Sequence, residues 1–111
     1  MEITARAEQD CTVVAVSGRL DTGTAADFDK QAAAWPGQGP KRLVLDLGQL
    51  DYISSAGLRS ILALGKKARA AGGSLCLCCP RGVVAEVISL SGFDSFLAVH
   101  PSLETALQGG A

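Results

Sequence analysis

Between Leu43 and Leu47 the chain reads Leu-Val-Leu-Asp-Leu, a nearly unbroken apolar run, and past Ser55 its apolar residues spread to helical spacing. The first pattern predicts a short strand buried on both faces, of the kind found inside a parallel sheet. Gly48 to Ile53 reads as a short connection. Ser54 and Ser55 follow, residue types that cap a helix by bonding its free N–H groups. Leu58, Ile61, Leu62, Gly65 and Ala68 then form an apolar stripe, with Arg59, Ala63, Lys66 and Ala70 on the other side. Ala71, Gly72 and Gly73 end this helix, because glycine accepts the left-handed cap conformation.

Around this centre the pattern predicts further elements. Ile3 to Glu8 alternates weakly, as an edge strand does, and Gln9–Asp10 turns the chain into a strand over Cys11–Ser17. The two form a hairpin. Gly18 to Gly23 reads as a loop in which Asp21 and Thr22 are possible caps. A helix from Thr24 to Ala34 turns Ala25, Phe28, Ala32 and Trp35 inward, and the Pro-Gly-Gln-Gly-Pro run at 36–40 stops it. Ser74–Cys79 is a buried strand that Pro80 breaks. Val83 to Leu90 makes a helix with Val84, Val87 and Ile88 inside, ended by Ser91 and Gly92. Phe96–Val99 is a last strand, and Pro101 to Gln108 a last helix with Leu103 and Leu107 on one face. The Gly-Gly-Ala end is expected to fray. This order, β-β-α-β-α-β-α-β-α, predicts an α/β fold in one domain over 1–111. Its sheet is mixed but mostly parallel, of about five strands with about four helices, and opens on a β-hairpin.

Composition narrows the function. With 111 residues the chain supports one core. A net charge of −1 argues against direct nucleic-acid binding, which needs a clustered basic surface. No apolar run reaches transmembrane length, and the charged start, MEITARAEQD, lacks a signal-peptide core; a cytoplasmic protein without membrane insertion is expected. Aromatic residues make up 5% of the chain, which leaves few large anchors for a deep ligand pocket, and no cofactor is implied.

Four cysteines are present. Cys76, Cys78 and Cys79 fall in one strand-like run, with Cys76 and Cys78 on one side and Cys79 on the other. Three ligands from one short strand make poor zinc geometry, and no Cys-x-x-Cys spacing occurs. The reading is of reduced, core-filling thiols and no metal, with redox chemistry at the Cys78–Cys79 pair as the alternative. No catalytic residues are assigned. Ser55 is not in a Gly-x-Ser-x-Gly elbow, His100 is the single histidine and has no partners for a triad, and no phosphate-cradling Gly-Lys loop is present.

The segment LVLDLGQLDYISSAGLRSIL resembles the signature of STAS domains, in particular the bacterial anti-sigma-factor antagonists. Their pattern is an apolar strand, a short loop, then Asp or Ser, Ser, a small residue, Gly and Leu opening a helix. VSGRLDTGTA is similar to the family's Gly-x-Leu-Asp loop, and ISLSGFDSFL to the segment that ends the third helix. The three lie in order across the whole chain.

The resemblance implies a regulatory switch rather than an enzyme. The unphosphorylated antagonist binds an anti-sigma factor, itself a serine-protein kinase of the histidine-kinase-like ATPase type, and so releases the sigma factor. Phosphorylation by that kinase inactivates the antagonist, and a metal-dependent serine phosphatase restores it. By motif position the phosphoacceptor is Ser55, with Ser54 the alternative, since many members carry Asp where this chain has Ser54. Asp21, Thr22, Ser54, Ser55, Gly57 and Arg59 are the expected partner-binding residues, and the protein is expected to be a monomer. A second reading keeps the fold without the switch, as a constitutive accessory subunit, for example of an ABC-type lipid transporter.

Overall fold

The computed structural model describes residues 1–35 and 42–108. The Pro-Gly-rich helix stop and the expected frayed end lie outside the described residues. Five strands form one sheet in simple order: β1 (Glu2–Glu8), β2 (Cys11–Leu20), β3 (Arg42–Ile53), β4 (Ser74–Cys78) and β5 (Ala98–His100). The β1–β2 hairpin is antiparallel, and every later neighbour is parallel. Four helices alternate with the strands: α1 (Ala25–Ala32), α2 (Ser55–Ala70), α3 (Gly82–Ser91) and α4 (Leu103–Gln108), with a 3₁₀ turn over Phe93–Ser95. The mixed, mostly parallel α/β architecture expected from the sequence is the one observed.

Two cores sandwich the sheet. On one face Val14, Val16, Leu20, Leu43, Leu45 and Leu47 pack with Phe28 of α1, Ile61 and Leu64 of α2, and Val84 and Ile88 of α3. On the other, Cys11, Val13, Val44 and Cys78 pack under Ala106 of α4. Arg42 fixes α4 there by donating to the carbonyls of Ala106 and Leu107 at 3.1 and 3.3 Å. Trp35 is partly buried and meets Phe28 edge-on, with ring centroids 5.6 Å apart. β3 is buried on both sides through Leu43, Val44 and Leu45.

Several boundaries differ from the sequence reading, each for a physical reason. β2 runs on to Leu20, so Gly18, Arg19 and Leu20 belong to a strand rather than a loop. β3 continues to Ile53 without the expected connection. Its pairing with β2 slips by one residue between Ala15 and Ser17 and again between Gly18 and Arg19. Each slip exchanges the faces of the strand, and Leu47, Leu50 and Ile53 all reach the same core. α2 buries Gly57, Ser60, Ile61, Leu64 and Ala68, so its inner stripe is rotated from the predicted one and Leu58 and Leu62 lie at its margin. β5 is the shorter segment Ala98–His100, because Phe93–Ser95 forms a 3₁₀ turn and Phe96 is exposed. Cys79 lies outside β4 with φ +60°.

Candidate functional site

The carboxyl ends of β2 and β3 and the amino end of α2 meet at one end of the sheet. Ser54 joins strand to helix. Its N–H donates to the Leu20 carbonyl at 3.0 Å, and its carbonyl accepts the first helical bond from Leu58 at 2.9 Å. Its backbone is extended, and its hydroxyl accepts from the Gly57 N–H at 3.3 Å. Ser54 is therefore the N-cap of α2, its hydroxyl committed to a backbone donor that would otherwise go unpaired. Ser55 is the first helical residue and is exposed. Its position puts a free hydroxyl at the positive end of the helix dipole, where added negative charge is accommodated.

Gly57 is what lets α2 start so close to β2. A Cβ there would stand 2.6 Å from the Leu20 carbonyl oxygen and 2.9 Å from Ile53 Cγ1 and Leu20 Cγ. Expected on the partner surface, Gly57 is instead buried, so it contributes by setting the height of the helix rather than by offering itself for contact.

Beside the helix start lies the turn from Leu20 into α1. Asp21 organises it. Its carboxylate accepts from the Gly23 N–H at 3.0 Å, and its carbonyl accepts from the N–H groups of Thr24 and Ala25 at 3.1 and 2.8 Å. The Thr24 hydroxyl accepts from the Asp21 N–H at 2.9 Å and donates to the Arg19 carbonyl at 2.9 Å. The helix-flanking cap position belongs to Thr24 rather than to Asp21 or Thr22, because Asp21 folds the turn that precedes it. Burial pushes the Asp21 carboxyl up, but hydrogen bonds from Gly23, Arg19 and Thr24 outweigh it and hold the group below its ordinary value of 3.8.

Of the residues expected to meet a partner, Thr22, Ser55 and Arg59 are exposed, while Asp21 and Ser54 are half-buried. Arg59 follows Ser55 by four residues and so shares its face of α2. Lys66 and Lys67 are also exposed. One feature escaped the sequence reading: the Arg19 guanidinium lies over the Tyr52 ring, 4.3 Å from its centroid, and approaches Asp21 at 3.4 Å. It ties the Asp21 turn to the end of β3, and no sequence signal pairs those two positions, since both fell in segments read as loops.

The STAS domain family model matches residues 2–106. The chain belongs to the STAS domain family. A curated relative from Bordetella bronchiseptica, named "Putative anti-sigma factor antagonist BtrV", is 42% identical over 94 residues, covering 85% of this STAS domain and 81% of the relative. The crystal structure of an anti-sigma factor antagonist from Mycobacterium paratuberculosis superposes with a TM-score of 0.88 at 26% identity, over 97% of this chain and 92% of that one. The antagonist SpoIIAA shares the fold at 17% identity. Its unphosphorylated form gives a TM-score of 0.78 over 99% of each chain, and its phosphorylated form, from Bacillus, 0.71 over 97% and 98%. No helix among the described residues is long and apolar enough to cross a membrane.

Proposed function

We propose that this STAS domain is an anti-sigma-factor antagonist switched by phosphorylation of Ser55. Unphosphorylated, it binds a serine-kinase anti-sigma factor of the histidine-kinase-like ATPase type through the surface around Asp21, Thr22, Ser54, Ser55 and Arg59, and so frees a sigma factor. The observation that carries this reading is the division of labour at the start of α2: Ser54 is committed to the cap, whereas Ser55 is exposed beside it. That favours Ser55 over Ser54 as the acceptor. The names of the relatives, and the existence of SpoIIAA in both forms, support the role and the chemistry.

The physics of inactivation follows from the position. A phosphate adds roughly −1.5 to −2 charge at neutral pH. At the amino end of α2 the free N–H groups and the dipole accept that charge, so the fold survives. Inhibition then acts at the interface, where like-charge juxtaposition and unpaired desolvated oxygens cost on the order of several kcal/mol. A metal-dependent serine phosphatase resets the switch.

Intact-mass analysis tests the acceptor. The protein is incubated with ATP and the nearest encoded histidine-kinase-like ATPase, with Ser54→Ala and Ser55→Ala alongside. One added phosphate, absent only from Ser55→Ala, is expected. Loss only in Ser54→Ala would move the acceptor by one residue. No modification by a kinase active on another substrate would favour a constitutive accessory subunit.

A further inference from the structure

The sheet face under α4 carries a second set of chemistry-bearing side chains, away from Ser55. A carboxylate oxygen of Asp46 and the sulfurs of Cys78 and Cys79 all lie within 4.8 Å of one another. Asp46 is the register partner of Cys78 across β3 and β4, and Cys78 that of His100 across β4 and β5. Parallel partners project from the same face, so one row across three strands offers oxygen, sulfur and nitrogen donors.

Cys79 joins this row because it leaves the strand. Strict alternation would send it to the opposite face; its φ of +60° takes it out of the strand pattern instead. Its N–H donates to the His100 carbonyl at 3.0 Å, which anchors the turn to β5.

The surroundings hold the donors in place. The Asp46 carboxylate accepts from the Gly48 N–H at 2.9 Å. Gly48 leaves the space free: a Cβ there would stand 3.1 Å from Asp46 Oδ1 and 3.5 Å from Cys79 Cβ. Arg81 in turn fixes the Gly48 carbonyl and pairs with Asp51 at 3.1 Å. An open groove lined by Glu2, Thr4, Ala15, Ser17, Asp46 and Gln49 connects Asp46 to solvent.

We propose that Asp46, Cys78 and Cys79 bind a divalent ion of the zinc class, with His100, the next residue of the row and outside the 4.8 Å cluster, turning in as the fourth donor. Two sulfurs, one carboxylate oxygen and one imidazole suit zinc, whereas calcium and magnesium take oxygen ligands throughout. Metal–donor distances of roughly 2.0–2.3 Å put tetrahedral donors about 3.5–3.8 Å apart, so the three atoms need to close by at most about 1.3 Å through side-chain rotation. Each bound ion displaces the protons of the two thiols.

Cobalt titration of the reduced, full chain tests the site, because Co²⁺ reports its ligands by absorbance. One equivalent is expected to give a thiolate charge-transfer band and the intense visible bands of a tetrahedral ion, both removed by added Zn²⁺. Cys78→Ser and Cys79→Ser should each weaken binding at least tenfold, and Asp46→Asn and His100→Gln should weaken it too. Cys76→Ser, outside the cluster, should bind like the parent. Circular dichroism confirms that each variant is folded; if a cysteine variant is not, Asp46→Asn and His100→Gln carry the test. The absence of a saturable charge-transfer band, or equal loss in Cys76→Ser, would overturn the proposal.

Discussion

Gly57 lies against the Leu20 carbonyl so closely that a methyl group on it would stand 2.6 Å from the oxygen. The same oxygen accepts the Ser54 N–H at 3.0 Å. One backbone carbonyl of β2 thus sets both the start of α2 and the distance between its first turn and the Asp21 turn.

Replacing Gly57 by alanine should force these elements apart. Neither backbone nor the buried Leu20 and Ile53 side chains can yield cheaply. Overpacking of this kind costs about 1–3 kcal/mol, and urea denaturation should show it as a lower midpoint with an unchanged slope. Weaker binding to the anti-sigma factor should accompany it, since the helix start moves relative to Asp21.

The two serines should separate in stability measurements. Ser54→Ala removes the cap that serves the Gly57 N–H and should cost about 1 kcal/mol. Ser55→Ala, at an exposed first-turn position, should stay within about 0.5 kcal/mol of the parent. Ser54→Asp, which restores the residue many family members carry, should keep the cap.

Asp21 gives the turn a dependence on pH. Its carboxyl is held below 3.8 in the folded chain, so the unfolded chain binds more protons across that range and stability rises with pH there. The contribution is complete above the unfolded value and is lost as pH falls through the folded one. Asp21→Asn should therefore be less stable than the parent at neutral pH. Thermal melts should show the gap narrowing as pH drops below 3.8 and closing once both forms are protonated.

Much of this was legible in the chain because the patterns were local. The run Leu43–Leu47 and the pair Ser54–Ser55 identified the central strand, the cap and the exposed hydroxyl. What lay between was not legible. Leu47, Leu50 and Ile53 are spaced by three, which matches no strand period, so Gly48–Ile53 reads as a connection. Only the two register slips against β2 reconcile that spacing with one buried face. In α2 the apolar pattern found Ile61 and Ala68 but left the stripe rotated, because Gly57 is buried by close backbone approach and Ser60 beside it, neither by hydrophobicity. The Arg19–Tyr52 stack joins residues brought together by strand pairing, and Cys79 changes face through a single positive φ. Neither leaves a mark on composition or periodicity.

The most direct measurement of the central claim compares the affinity of the kinase-type anti-sigma factor for the unphosphorylated protein and for the same protein phosphorylated at Ser55. Circular dichroism of both should be superimposable, because the start of α2 tolerates the charge. The affinity should fall by at least about tenfold, or ~1.4 kcal/mol, with most of the change in dissociation rate. Equal affinities for the two forms would contradict the account.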